Sequence, residues 1–300
     1  MKVLITGITG FVGKNLSKYF AKKGISCSGI SLRDVEWKIQ DWNKGAAVIH
    51  LAGKAHDTNN TSDSGEYFKI NRDLTIEVFT KFLQSDIRDF FYFSSVKAVA
   101  DSVEDVLDES HIAQPLTPYG KSKIDAENYL LMQSLPKGKR LFIIRPCMIH
   151  GPGNKGNLNL LYSVVKRGIP WPLASFSNQR SFLSVDNLCY LIAEMLSNEK
   201  LASGIYNFAD DDSLSTNELV ELIALLLGKK KRLWRLPISV IRFAVKIGDI
   251  LPLPLNTERL KKLTESYVVS NQKIKKGLGI ESLPLTSIEG LKKTILSFEK

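Results

Sequence analysis

Tyr119 and Lys123 stand four residues apart in the stretch TPYGKSK, residues 117–123. On a helix that spacing puts both side chains on one face. A phenol with an ordinary pKa of about 10 is a poor proton carrier at neutral pH. A cation one turn away, together with a nicotinamide ring, draws it toward the working range. The pair suits reversible hydride transfer at a carbinol carbon. The tyrosine moves the hydroxyl proton while the nicotinamide moves hydride, and the lysine can also hold the ribose hydroxyls. YxxxK alone occurs on many solvated helices. Its weight here comes from the elements that precede it.

The chain opens MKVLITGITGFVG. Val3–Thr6 reads as a short apolar strand, and the apolar spacing of Phe11–Lys23 reads as a helix stopped by Gly24. Gly7, Gly10 and Gly13 therefore fall between a strand and a helix, the context a dinucleotide fingerprint requires. Gly7 suits the tight turn, Gly10 the close approach of a pyrophosphate, and Gly13 the packing of helix on strand. The spacing is GxxGxxG, and Thr9, Phe11 and Val12 of the same turn belong to the expected cofactor site. The next strand, Ile25–Ile30, ends in Ser31-Leu32-Arg33-Asp34. The acid that would take a ribose 2′-hydroxyl comes late and Arg33 precedes it, which leans the reading toward NADP over NAD.

Strands and helices then keep alternating. Ala47–Ala52 has the unbroken apolar run of a parallel strand. Tyr67–Leu83 reads as a helix, Phe90–Phe93 as a strand, Tyr119–Leu131 as a helix and Leu141–Arg145 as a strand. The expectation is an α/β fold: a Rossmann doubly wound parallel sheet over residues 1–165, with part of 180–200 returning to it, and a smaller, mostly C-terminal α/β substrate domain over 166–300. Strand ends face the crevice in such sheets. His50 to Gly53, Ser94-Ser95 and Arg145-Pro146 are therefore expected to line one cleft.

With 44% hydrophobic and 24% charged residues in 300, the chain has the composition of an ordinary globular protein. Cys27, Cys147 and Cys189 are far apart and unpaired in pattern, which points to inert thiols in a reducing, cytoplasmic setting. No signal segment and no apolar run of about 20 residues is evident. From Lys229 onward there are sixteen Lys and Arg against six Asp and Glu, which accounts for the whole net charge of +10. A basic third of this kind attracts nucleic acid, an anionic lipid surface or an acidic small substrate, or simply forms a solvated face. The expected partner is the acidic small substrate. Neither nucleic acid nor stable membrane insertion is expected. The apolar and basic stretch Ile238–Leu253 is expected mainly to pack in the core, with leaning on a membrane surface as the alternative.

In this order, GITGFVG, HLAG, FSS, YGKSK and IRPCMIHGPG resemble an extended short-chain dehydrogenase/reductase of the NAD-dependent epimerase/dehydratase family, over essentially the whole chain. GPGNKGNLNLLYSVVKRGIPWPLASFSNQRSFLSVDNL is similar to the branch that handles UDP-linked sugars. The resemblance implies that Gly7, Gly10 and Gly13 cradle the cofactor pyrophosphate. Leu51, Ala52 and Gly53 would flank the adenosine side, Pro146 and its neighbours would pack near the nicotinamide, and Ser94 would belong to the cofactor site. Tyr119 and Lys123 would be the catalytic pair, and Asn71 a support residue beneath the cofactor site. It also implies substrate contacts from Asn157 and Leu158, with Arg180 aimed at the substrate diphosphate and Arg259 as a second clamp. Guanidinium forks suit that task. No metal is expected. A homodimer through the two helices 71–83 and 119–131 is a further implication.

Two departures from the family pattern matter. Its Ser or Thr three residues after the strand-ending aromatic is replaced by Val96, so Ser95 must take over or Tyr119 must act without a hydroxyl partner. Where 4,6-dehydratases carry an acid and a base, the chain has Lys97-Ala98, which argues against water elimination. The expected activity is an NAD(P)H-dependent reductase of a UDP-linked 4-ketohexose, N-acetylated and deoxygenated, in surface-polysaccharide synthesis. A UDP-hexose 4-epimerase with retained NAD is the alternative, and a nucleotide-sensing protein without chemistry the distant one.

Overall fold

A computed structural model describes residues 1–43, 45–54, 63–154, 156–250 and 256–299. Strand β1 (Lys2–Thr6) feeds helix α1 (Phe11–Lys22), and β2 (Ser26–Ile30) follows. β3 (Ala47–His50) leads to α2 (Ser64–Phe68), a π-helical turn (Lys69–Asp73) and α3 (Leu74–Leu83), which run on from one another. β4 (Asp89–Phe93), α4 (Pro118–Met132) and β5 (Arg140–Pro146) come next. Beyond them lie β6 (Met148–His150), α5 (Asn157–Lys166), β7 (Arg180–Ser184), α6 (Val185–Ser197) and β8 (Gly204–Phe208). β9 (Ser213–Leu214), α7 (Thr216–Leu226), α8 (Ile238–Ile250), α9 (Thr257–Thr264), α10 (Gln272–Leu278) and α11 (Ser287–Leu296) complete the order.

Six strands form one parallel sheet in the order β2-β1-β3-β4-β5-β8. Strand order reverses between β1 and β3, so their carboxyl ends open the crevice where such sheets take ligands. The side-chain period of two sends alternate residues to opposite faces. Val3, Ile5, Phe91 and Ile144 join the core under α1 and α6, whereas Leu4, Phe90, Tyr92 and Ile143 join the core under α3 and α4. Both faces are covered, which explains the unbroken apolar runs in the sequence. A second core gathers α5, α7 and α11 around Trp171 and Phe182, beside a small sheet ordered β6-β7-β9.

The chain returns to the large sheet more often than the expected 180–200 segment allows. β8 is its edge strand, paired to β5. From α10, Ile274 lies in the core on the α1 side, together with Leu283. The stretch Ile238–Leu253, expected to pack mainly in the core, does so through Ile241 and Val245, while Val240, Phe243 and Ile247 stay exposed. Residues 251–255 lie outside the described residues.

Candidate active site

The glycine turn after β1 is tight. Gly7 has φ +70°, and a Cβ on it would stand 2.9 Å from the Ala52 backbone nitrogen. The β1 and β3 loops therefore abut across the crevice. A Cβ at Gly13 would come within 2.6 Å of the Gly7 carbonyl, so only glycine lets α1 sit this close to the turn. Gly10 caps α1 with no side-chain hydrogen bond, and no acid lies in the first turn. The first N–H groups of α1 are thus left for an outside anion. Thr9 and Gly10 are exposed, Phe11, Val12, Leu51 and Ala52 half-buried, and Gly53 exposed. This cradle fits a dinucleotide pyrophosphate. Arg33 is exposed just beyond β2, beside Asp34.

Tyr119 and Lys123 share one face of α4. Thr117 caps the helix, its hydroxyl accepting from the Gly120 amide at 3.2 Å, and Pro118 pre-sets the first turn. A Cβ at Gly120 would meet the Lys97 carbonyl at 2.4 Å. That glycine lets α4 lie directly against the turn after β4, where Ser95 sits. The Ser95 side chain hydrogen-bonds Tyr119 and also accepts from the Lys97 amide at 3.2 Å. Val96, at the position where the family pattern has a hydroxyl, is buried in the core. Tyr67 packs edge-on against Tyr119, with ring centroids 6.1 Å apart.

Electrostatics at the pair depart from the sequence expectation. Burial raises the Tyr119 phenol above its ordinary value, and the Ser95 hydrogen bond only partly opposes this. The Lys123 ammonium is drawn downward instead, donating to the Phe93 carbonyl at 2.8 Å and lying 5.0 Å over the Tyr92 ring. Burial lowers its pKa to about 8, with the nearby Glu127 carboxylate pulling the other way.

Beneath Lys123 lies a buried charge cluster that the sequence reading did not single out. Glu127 and Arg145 are almost completely inaccessible and form a salt bridge, with Arg145 Nε 3.0 Å from each Glu127 oxygen. Ser94 donates to the same carboxylate. Ser94 and Arg145 were expected to line the cleft, but pairing with Glu127 turns both inward. The i, i+4 spacing of Lys123 and Glu127 was the available signal. His50 also departs from the cleft. It is fully buried, with its ring nitrogens 2.7 Å from the Thr6 and 3.0 Å from the Thr75 hydroxyls, and burial holds its pKa at about 3.

Asn71 sits in the π turn and is fully buried. Its amide nitrogen donates to the Lys54 carbonyl and the Ser122 hydroxyl, each at 3.1 Å, and its oxygen accepts from the Lys54 amide at 2.8 Å. It ties the β3 loop to α4 and has no hydrogen left for a cofactor. π turns recur at functional sites for this kind of local re-aiming. Directly above, Gly53 passes close enough that a Cβ there would lie 3.3 Å from Lys123 Nζ.

On the substrate side, Arg180 opens β7 and is half-buried. Burial lowers its pKa, and Glu265 and Cys147 oppose that effect. Its backbone bridges to Tyr267, whose hydroxyl lies 3.0 Å from the Val96 carbonyl and 2.8 Å from that of Ala100. Tyr267 thus straps the Ser95 turn to the Arg180 strand, a link without a sequence signal. Pro146 is buried at the end of β5. Leu158 is buried in the second core, which leaves its backbone for any substrate contact. The side chains of Asn157 and Arg259 lie outside the described residues.

Relatives of known activity share this frame. The chain is 28% identical to the UDP-glucose 4-epimerase of Vibrio cholerae, covering 99% of this chain and 95% of that one. It is 28% identical to the N-acetyl-alpha-D-glucosaminyl-diphospho-ditrans,octacis-undecaprenol 4-epimerase of Escherichia coli O157:H7, over 91% and 84% of the two chains. It is 26% identical to the GDP-6-deoxy-D-mannose reductase of Pseudomonas aeruginosa, over 74% and 79%. Among solved structures, RMD from Pseudomonas aeruginosa complexed with NADPH superposes with a TM-score of 0.75 at 22% identity, over 99% and 98% of the chains. The Thermus thermophilus UDP-glucose 4-epimerase complex with NAD gives 0.74 at 19% identity, over 100% and 99%. The model of the NAD dependent epimerase/dehydratase family matches residues 3–209, more than half of the chain, and the chain belongs to that family.

Proposed function

We propose that this protein oxidises and re-reduces C4 of a hexose carried on a nucleoside diphosphate, with UDP-hexoses as the first substrate class. The observation that carries the reading is the Ser95–Tyr119 hydrogen bond with the Lys123 ammonium one turn away on the same helix face. Tyr119 takes the proton of the C4 hydroxyl, and Ser95 holds the same oxygen and, through its hydrogen bond to Tyr119, favours the phenolate during the transfer. The glycine turn and the N-terminus of α1 would hold the dinucleotide pyrophosphate, Gly53 would flank its adenosine side, and Lys123 would hold the ribose hydroxyls. A bound nicotinamide supplies the hydride chemistry. Arg180 faces the substrate diphosphate, a group that nucleotide-linked and polyprenol-linked sugars share.

Two arguments favoured a reductase at the level of sequence: Arg33 and the missing hydroxyl at Val96. The Ser95 geometry weakens the second. A retained-cofactor 4-epimerase is therefore the leading reading, with the 4-ketoreductase second on the strength of Arg33. Incubation of the freshly purified protein with UDP-glucose or UDP-N-acetylglucosamine, without added cofactor, should yield the C4 epimer by NMR. Mass spectrometry of the denatured protein should release NAD. Stoichiometric NADPH consumption on a UDP-4-ketohexose, without epimer formation, would select the reductase. Absence of both activities would defeat the C4 reading.

A further inference from the structure

Helix α8 inverts the usual arrangement of a globular surface. Ile241 and Val245 pack into the second core. Val240, Phe243 and Ile247, at i, i+3 and i+7, form a separate stripe that is 54%, 68% and 39% exposed. The segment before the helix adds Trp234, 55% exposed. Its position is fixed by backbone pairing: the Trp234 amide donates to the Trp171 carbonyl at 2.8 Å, and Leu233 and Leu236 pack against the core on either side. Side chains alternate along extended backbone, so with Leu233 turned inward the indole of Trp234 points outward.

Charge surrounds this apolar ridge with one sign. Residues 229–250 hold seven Lys and Arg and a single acid, Asp249. Asp249 is occupied in bonding Thr257 at the far end of the helix. Three of the cations are engaged locally: Lys229 and Arg232 with the carbonyls of Lys166 and Gly168, and Lys231 with Glu221. Lys230, Arg235, Arg242 and Lys246 are exposed beside the ridge.

From this juxtaposition we infer that the Trp234–α8 ridge docks onto the surface of an anionic lipid bilayer. A short helix with an apolar stripe, an aromatic at its edge and flanking cations lies in the headgroup plane, its stripe sunk roughly 5–10 Å. Indole and aliphatic-stemmed cations suit that boundary because one end is apolar and the other wet. Helix α8 has 13 residues, and no helix among the described residues is long and apolar enough to cross a membrane. The surface charge complements anionic headgroups, each cation near the surface adding about 1 kcal/mol. A soluble apolar partner would not call for that one-signed rim. This docking does not depend on the chemistry at Tyr119.

The protein carries its own reporter. Trp37, Trp42 and Trp171 are buried, so Trp234 is the tryptophan placed to meet lipid. The full chain is mixed with vesicles of phosphatidylcholine containing phosphatidylglycerol, with and without brominated acyl chains. We expect co-sedimentation with the anionic vesicles, bromine quenching of Trp234 fluorescence, and release on raising salt to about 1 M, where charges are screened within about 3 Å. Phe243→Glu should reduce vesicle partitioning at least ~10-fold, while cofactor binding, measured in parallel, stays at the wild-type level. Arg242→Glu with Lys246→Glu should also abolish the preference for anionic lipid. No partitioning, or equal partitioning onto pure phosphatidylcholine, would overturn the inference. Self-association through the ridge, read by sedimentation velocity and lost in Phe243→Glu without any vesicle binding, would assign the surface to a second copy instead.

Discussion

Helices α4 and α8 treat the same ingredients in opposite ways. α4 buries polar and charged residues: Ser122, Lys123 and Glu127 all face inward with Ala126 and Leu130. α8 leaves Val240, Phe243 and Ile247 in solvent. Burying a charge is costly unless it is paired, and exposing a contiguous apolar stripe is costly unless something covers it. Each helix violates one of these rules, and each violation marks a place where the fold serves something other than its own stability. In α4 the compensation is internal, through Arg145, Ser94 and the Phe93 carbonyl. In α8 the proposed compensation is a lipid surface.

The sharpest way to break the contrast is at the open end of α4. Tyr119→Phe removes one hydroxyl and preserves shape, so turnover on a UDP-sugar should fall by roughly 10²–10⁴-fold while cofactor affinity by calorimetry is unchanged. Wild-type turnover in this variant would remove Tyr119 from the proton path.

The next largest effect lies one turn deeper. Glu127→Ala strands the buried Arg145 charge and should cost about 3–5 kcal/mol in denaturant unfolding. Glu127→Gln keeps the shape and removes the charge that holds up the pKa of Lys123, now about 8. That pKa lies below the unfolded value, so folding disfavours the charged lysine, and this contribution to stability improves as pH rises from about 8 to 10.5. In Glu127→Gln the window should open at a lower pH, and the alkaline limb of kcat/KM should move the same way. An unshifted limb would show that Glu127 only packs.

The smallest effects test α8 by itself. Ile241→Ala, on the packed side, should cost about 2–5 kcal/mol. Phe243→Ser, on the exposed side, should change stability by less than about 0.5 kcal/mol in the same titration. Equal losses would mean that the stripe is covered within the chain.

Much of the α4 side was legible in the sequence because it is built from local signals. The strand–glycine–helix opening, the alternation of elements and the i, i+4 spacing of Tyr119 and Lys123 all involve neighbours within a few turns. The missing parts are contacts between distant segments. Nothing near Val96 announces that Ser95 reaches Tyr119; that depends on how closely Gly120 brings α4 to the Lys97 carbonyl. The Tyr267 strap joins residues more than 160 positions apart. Burial raises the Tyr119 pKa where a fall was expected, and packing turns Lys123 toward the Phe93 carbonyl. For α8, the sequence shows an apolar and basic stretch expected mainly in the core, but composition cannot tell which of its apolar residues will find a neighbour.

The return of β8 and α10 to the large sheet has a consequence for how such a protein can be altered. A fragment ending near residue 165 would lack β8 and leave β5, with Phe142 and Ile144, as a bare edge open to pairing with other chains. The part proposed to recognise the sugar is therefore not a detachable module. Exchanging the whole C-terminal half between relatives would tear the nucleotide-binding sheet along with it. On the proposed reading, specificity is open to revision only in smaller units, such as the β7 segment that begins at Arg180, grafted onto a scaffold that stays intact from end to end.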